Sequence, residues 1–378
     1  MTPERPAFTI GIEEEYFVVD RETRDLVPDL PAGLQEALTR APIGMTSPEF
    51  MRSQVEIGTP VAADMDEVAE YLRTMRRFVA DSVSEHGMAI ISASTHPFAN
   101  WSQQRHTDKD RYNMLEQALQ GVVRRLLICG MHVHVGIADE DLRVELMNQV
   151  TYFLPHLLAL SGSSPFWHGE DTGLKSYRTS VFRAMPRTGL PDEFNSWTDY
   201  QRHVDVLVGT GVIEDASKLW WDIRPSSRYP TLEMRSTDIC TRIEDGLTIA
   251  ACYQSLLAML YHLRMDNRRW RQYSNLLIQE NNWRAQRYGV DQSLIDFGRG
   301  MLSPMSELGE ELIDIVREEA VAIGAIEYVE NVRTIVASGT SADRQRKVFV
   351  DALAGGAENQ DALNAVVDHL ISETVEGV

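Results

Sequence analysis

Three separate stretches of this chain alternate with period two, and in each the ionisable side chains take one parity while aliphatic ones take the other. Successive side chains of a β-strand point to opposite faces, so residues two apart share a face. In Gly11-Ile12-Glu13-Glu14-Glu15 this sets Glu13 beside Glu15 and sends Glu14 to the side of Ile10, Ile12 and Val18. Further along, His132 and His134 share a face with Gly130 and Gly136, opposite Met131, Val133, Val135 and Ile137. A third stretch sets Glu233 and Arg235 against Leu232 and Met234, and its neighbour Trp220-Trp221-Asp222-Ile223-Arg224 places Asp222 with Arg224. Strands of this kind demand a sheet with one face in the core and the other open and charged. The glycines beside the histidines leave room for a ligand to approach the backbone.

Taken singly, each stretch also has an ordinary structural explanation. An acidic triplet is tolerated cheaply on a solvated face, paired strand histidines serve as hydrogen-bond partners, and the Asp/Arg and Glu/Arg hairpin works as a cross-strand ion-pair ladder. Together the stretches display so many ionisable groups on one face that a charged ligand is expected. Carboxylate oxygens suit hard Mg²⁺ bridging phosphates, and guanidinium forks match phosphate or carboxylate oxygens. A nucleoside triphosphate with its metals satisfies both sets. The chain contains no GxxxxGK[ST] pattern, so the phosphates are not held in the P-loop manner.

The rest of the sequence supplies the frame. Strands are expected over 8–20, 88–94, 127–137, 218–224 and 230–239, the last two joined as a hairpin by PSSRYP. Met65, Val68, Leu72, Met75, Val79 and Val83 recur at helical spacing and predict a helix over 62–86. Further helices are expected over 108–127 and 141–161, and a mainly helical region from about 241. The Gly-, Ser- and Pro-rich stretch 162–192 reads as an active-site loop. No composition break or repeat divides the chain, so one α+β domain over 1–378 is expected, with helices packed on a mainly antiparallel sheet. The apolar segments Val150 to Leu160 and Leu247 to Leu263 are too short or too interrupted for a membrane span and read as buried helices.

Composition narrows the partners. A net charge of −20 repels a polyanion, and no basic run offsets it, so nucleic acid is not an expected partner. Cys129, Cys240 and Cys252 are odd in number and lack CxxC spacing, which argues against a disulfide framework or thiolate zinc site and for a reducing, cytoplasmic setting. The N-terminus MTPERPAFTIGIEEE shows no leader pattern.

At these same residues the sequence resembles the type 2 glutamate-cysteine ligase family, ATP-dependent carboxylate-amine ligases related to glutamine synthetase. The resemblance runs in order through GIEEEYFVVD at 11 to 20, EFMRSQVEIGTPV at 49 to 61, STHPF at 94 to 98, GMHVHVG at 130 to 136, LWWDIRPS at 219 to 226, TLEMRSTD at 231 to 238 and RAQRYG at 284 to 289. It implies a glutamine synthetase-like core, a curved antiparallel sheet forming a funnel for ATP and two or three Mg²⁺ or Mn²⁺ ions. By the same resemblance Glu13, Glu15, Glu49, Glu56, His132 and Glu233 correspond to metal ligands, and Arg235 to the residue bracing the transferred phosphoryl group. His134, Arg178, Asp222, Arg224, Asn282 and Arg287 fall in positions suited to nucleotide or substrate contacts. Glu49 carries a difficulty: its odd spacing from Glu56 cannot place both on one face of a regular strand, so a bulge or loop is required.

The implied reaction is formation of a γ-glutamyl amide, with glutamate as the carboxylate and cysteine as the amine, through an acyl phosphate and with release of ADP and phosphate. Two alternatives stand beside it: a metal-dependent hydrolase built on His132, His134 and the carboxylates, and an ATP-binding homologue without turnover. The ligase reaction needs no side-chain nucleophile, so the three cysteines are given no catalytic role in it and read as buried structural thiols. A homodimer is the base-rate expectation for a soluble enzyme of this kind.

Overall fold

The GIEEEYFVVD segment forms strand β1 (Ile10–Asp20), and its even positions Ile10, Ile12, Glu14, Tyr16 and Val18 are buried as the alternation predicts. The computed structural model describes residues 5–378; residues 1–4, part of the N-terminus without a leader pattern, lie outside the described residues. Around β1 are β2 (Met45–Pro48), β3 (Gln54–Gly58), β4 (Met88–Ile91), β5 (Met131–Gly136), β6 (Ile223–Pro225) and β7 (Thr231–Met234). They make a seven-stranded antiparallel sheet in the order β6-β7-β5-β1-β3-β2, with β4 taking over from β5 along the far half of β1. The mainly antiparallel α+β class is therefore the one observed.

Behind the sheet lies helix Met65–Ser84, begun by Asp64, whose side chain accepts from the Glu67 amide at 2.9 Å. Its stripe of Met65, Val68, Leu72, Met75, Val79 and Val83 is buried, so its amphipathic period is used as expected. The same helix delivers Arg76 to Glu14. Both side chains are wholly buried, joined at 2.7 Å, with the Tyr16 hydroxyl also bonded to Glu14. A charge on the core face is tolerated there because its counter-charge arrives from the packing helix.

Elsewhere the elements are shorter than the sequence suggests, for local reasons. The helix expected over 141–161 is two helices, Glu140–Val150 and Leu154–Ser161, because Pro155 opens the second and cannot continue the first. The one expected over 108–127 ends at Leu119, where Gln120 takes a positive φ of 49° before Gly121. Strand 218–224 is interrupted at Asp222: Trp220–Trp221 pairs in parallel with Thr188–Gly189, and the main sheet resumes at Ile223. The helical C-terminal region also contains a hairpin, Ser293–Asp296 with Met301–Pro304, that the helical expectation did not include.

Helix Ile243–Met265 is long and apolar enough to cross a membrane, yet 89% of its most apolar window is buried within the protein, where it serves as the central core helix. Helix Leu154–Ser161, the other apolar segment, is buried throughout. One continuous hydrophobic core runs from Phe8, just ahead of β1, to Leu370 near the C-terminus. The face of the sheet turned away from that core floors a cavity.

Candidate active site

Strand register brings the predicted residues into rows. Glu15 stands opposite Glu56, Glu13 lies between Gly58 and His132, and His134 stands opposite Glu233, which faces Arg224. Ser47 on β2 completes the first row and donates to Glu56 Oε2 at 2.6 Å. Side chains directly opposite on one face are close neighbours, so residues more than 200 positions apart in sequence share a surface. All of these line a cavity of about 510 Å³, together with Glu49, Arg178 and Arg235.

The carboxylates and imidazoles fall into three overlapping groups: Glu13, His134 and Glu233; Glu13, Glu56 and His132; and Glu15, Glu49 and Glu56. Within each group one donor atom per residue lies within 4.8 Å of the others. Glu13 links the first two groups and Glu56 the last two. Glu49 joins from the loop just past β2, as its odd spacing required: it lies in the turn-back between β2 and β3, while Glu56 lies on β3.

Hydrogen bonding holds the donors in place. His132 Nδ1 is 3.0 Å from Glu13 Oε2, His134 Nδ1 is 3.0 Å from Thr231 Oγ1, and Glu15 Oε2 accepts from the Gly130 amide at 2.7 Å. His134 Nε2 is buried, lies 3.5 Å from Glu13 Oε1 and makes no hydrogen bond. Glu233 accepts from Arg224 Nε at 2.9 Å and also from Arg235, whose own Nε is buried without a partner. His134 Nε2 and Arg235 Nε are thus buried at the cavity without a hydrogen-bond partner, which leaves both with bonding capacity for a ligand.

Electrostatics give the same picture. Burial pushes the Glu56 carboxyl up to about 7, helped by repulsion from Glu13 and Glu15. Burial, with repulsion from Glu15 and Glu56, drives Glu49 well above the carboxylate range. Burial would raise Glu13 too, but His132, at hydrogen-bond distance, and His134, 3.5 Å away, outweigh it and hold Glu13 well below the usual range. Glu233 is likewise lowered against its burial, chiefly by Arg235 and Arg224. Burial and the Arg235 charge lower His132, whereas Glu13 and Glu233 raise His134 against its burial. Among the described residues Glu15, Glu49 and Glu56 form no ion pair with a lysine or arginine, only the charge of Arg235 reaching Glu49 and Glu56, and the oxygen-rich donor set fits divalent Mg²⁺ or Mn²⁺.

Not every predicted contact reaches the cavity. Asp222 is buried against Arg183, 3.2 Å away, because the strand interruption at that residue breaks its shared parity with Arg224. Asn282 is buried in helix Asn275–Tyr288 with both amide atoms unpartnered, and Arg287 on that helix donates to the Gly173 carbonyl. Neither lines the cavity floor. The space expected beside two glycines is also taken: a Cβ at Gly130 would sit 2.4 Å from Arg178 Nη2, and one at Gly136 2.3 Å from Thr9 Oγ1. Sequence reasoning missed Ser47, which carries no distinguishing pattern, and Phe182, Met185 and Tyr229 along the walls.

Comparison with known proteins agrees with this geometry. A model of the family described as glutamate-cysteine ligase family 2 matches residues 9–369. A protein provisionally named glutamate–cysteine ligase 2 from Rhodospirillum rubrum is 56% identical over 374 residues, covering 98% of this chain and 96% of its own. Another so named, from Paracoccus denitrificans, is 50% identical over 370 residues, covering 98% of each. Among solved structures, a glutamate–cysteine ligase from Francisella tularensis in complex with AMP superposes with a TM-score of 0.69 at 15% identity, over 99% of this chain and 90% of that one. A bifunctional glutathione synthetase from Pasteurella multocida gives 0.70 at 15% identity; this chain is matched over 98% of its length but spans only 53% of that protein. At such identities the structural likeness speaks for the fold.

Proposed function

The chain belongs to the glutamate-cysteine ligase family 2, and from that premise we propose that it is an ATP-dependent ligase joining the side-chain carboxylate of glutamate to an amine, with cysteine the first candidate. The observation that carries this is the chain of three overlapping donor groups on one sheet face, edged by Arg178, Arg224 and Arg235 within a single cavity.

Glu13, Glu15, Glu49, Glu56, His132, His134 and Glu233 are the residues that would hold Mg²⁺ or Mn²⁺. Such ions would supply positive charge against the negative charge that spreads over a transferring phosphoryl group. Arg235, braced by Glu233 and His132, lines the cavity with its Nε unpartnered and would add its charge there. Burial alone would lower its pKa, but Glu233 raises it, so it stays cationic at every working pH. Arg224 fixes Glu233 by a two-point contact at 2.9 and 3.2 Å and so holds the first donor group at its edge. Arg178 offers a further anion contact.

The carboxylate attacks the γ-phosphorus of ATP to form an acyl phosphate and ADP, and a neutral amine then displaces phosphate through a tetrahedral intermediate. No side-chain nucleophile is needed. Cys129, Cys240 and Cys252 are buried free thiols, in keeping with a reducing cytoplasmic setting and no catalytic role. We take the continuous core as one catalytic domain over the whole chain. The hydrolase alternative is disfavoured because His132 and His134 fall in different donor groups, one imidazole in each.

The test is phosphate release from ATP with glutamate and a panel of amines, with the product identified by mass spectrometry. Release that requires both substrates and a divalent metal supports the proposal. ATP bound without being split would leave a non-catalytic homologue, and metal-dependent hydrolysis without nucleotide would support the hydrolase.

A further inference from the structure

Asp238 lies outside the cavity floor and is wholly buried just beyond β7, where it forms an isolated bridge with Gly130. Its carboxylate closes both ends of one excursion of the chain. Oδ2 accepts from the Ser163 amide at 2.9 Å and from Ser164 Oγ at 2.7 Å, while Oδ1 accepts from Ser176 Oγ at 2.7 Å. Ser164 and Ser176 are themselves joined by a parallel bridge, and the Asp238 amide donates to Ser161 Oγ at 3.2 Å. Helix Tyr177–Phe182 starts at this knot: the Arg178 amide donates to Ser164 Oγ at 3.1 Å, and Ser176 Oγ lies 3.0 Å from Thr179 Oγ1.

What leaves the knot is a cation. Arg178 lies over Gly130, donates through Nη2 to the Arg235 carbonyl at 3.3 Å and stacks on Phe182 at 5.5 Å. Those contacts leave most of its five N–H donors unspent at the cavity wall, and none of the ion pairs among the described residues uses it. Only a side chain as small as glycine at position 130 lets it lie there. Asp238 and Asp222 act on this guanidinium only through their charge, and among the described residues no carboxylate reaches it at ion-pair distance, so an anion at the cavity wall would complete it.

We propose that Asp238, with Ser163, Ser164 and Ser176, is the positioning device that fixes Arg178 as an open receptor for an anionic substrate group, a carboxylate or a phosphate. Asp238 acts only through Arg178 and touches no substrate itself. The proposal rests on the ligase function above.

Its test is calorimetric binding of two probes in Mg²⁺, ADP for the phosphate source and L-glutamate for the carboxylate source, together with hydrogen exchange of the 163–178 segment. R178A should weaken one probe by about 10- to 100-fold, the worth of a charge-assisted hydrogen-bonded pair, and leave the other nearly unchanged. D238N should weaken that same probe, speed exchange at the Ser163 and Arg178 amides, and have no further effect on binding when R178A is already present. S176A, which keeps the carboxylate and deletes one of its bonds, should show the same pattern at smaller size and serves if D238N does not fold. Equal losses from D238N with and without Arg178 would overturn the positioning role, and R178A with wild-type affinity for both probes would overturn the receptor. Wild-type protein that binds neither probe would sink the ligase proposal as well.

Discussion

Glu14 and its neighbours Glu13 and Glu15 are consecutive in one strand, yet they live in opposite electrostatic worlds. Glu14 faces the core, wholly buried, and is matched by Arg76 and Tyr16. Glu13 and Glu15 face the cavity, where Glu49 and Glu56 crowd them and the nearest cations sit toward one edge. A satisfied buried pair is a structural part: removing one member leaves a stranded charge. A crowded, under-neutralised cluster is a functional part, kept at some expense in stability until cations arrive. One strand can serve both purposes because its two faces look into different surroundings.

The difference predicts which substitutions harm activity and which harm folding. E13Q and R235A should each cut ligase turnover by about 10³-fold or more, as loss of metal or guanidinium stabilisation in phosphoryl transfer does, and each should lower the melting temperature less than E14Q does, since Arg224 still pairs Glu233 when Arg235 is gone; a steady-state assay beside thermal melts separates the two. E14Q should do the reverse, costing about 3–5 kcal/mol of stability by leaving Arg76 buried and unpaired, which a denaturant titration reads. If E14Q proved harmless to folding while E13Q unfolded the protein, the contrast between the two faces would be broken.

A smaller effect sharpens it. Glu56 has a folded pKa raised to about 7 by burial and its acidic neighbours, so the folded state holds a proton the unfolded chain has already released. Metal-free stability should therefore fall as pH rises from about 4.5 through 7. E56Q should raise metal-free stability at pH 8 by on the order of 1–3 kcal/mol, while abolishing the gain in melting temperature that Mg²⁺ or Mn²⁺ gives the wild type.

His156 supplies the opposite sign from a region remote from the cluster. Burial lowers it to about 4 within helix Leu154–Ser161. The unfolded chain binds a proton near pH 6.5 that the folded one refuses until about 4, so stability should drop across that window as pH falls. H156F should flatten that part of the acid limb, by at most about 3 kcal/mol at pH 4. An unchanged slope would mean that other groups carry it.

Much of this was legible in the sequence because period two is a local property. The alternation of β1 and β5 assigned Glu13, Glu15, His132 and His134 to one face and Glu14 to the core, as the burial shows. Register was not legible: nothing in the residues themselves says that Glu13 lies opposite His132 or Glu15 opposite Glu56. Parity failed where a strand is interrupted, at Asp222, whereas the odd spacing of Glu49 from Glu56 correctly called for a loop, without saying that another strand, Met45–Pro48, precedes it. Asn282 and Arg287 show a different limit. They sit on a helix whose facing is set by packing against Leu154–Ser161, and that packing turns Arg287 to the Gly173 carbonyl. Asp238 closes the TLEMRSTD segment and was expected inside a strand over 230–239, but the strand ends at Met234, and no role could be read for it until three distant serines close on it.

Crystals soaked with Mn²⁺ and a non-hydrolysable ATP analogue, examined for anomalous scattering, confront the central claim directly. The account predicts manganese peaks within the Glu13–Glu56–His132 group and its two flanking groups, with phosphate oxygens completing them and Arg235 against the terminal phosphate. Manganese elsewhere, or one ion held by His132 and His134 together with no nucleotide bound, would contradict it.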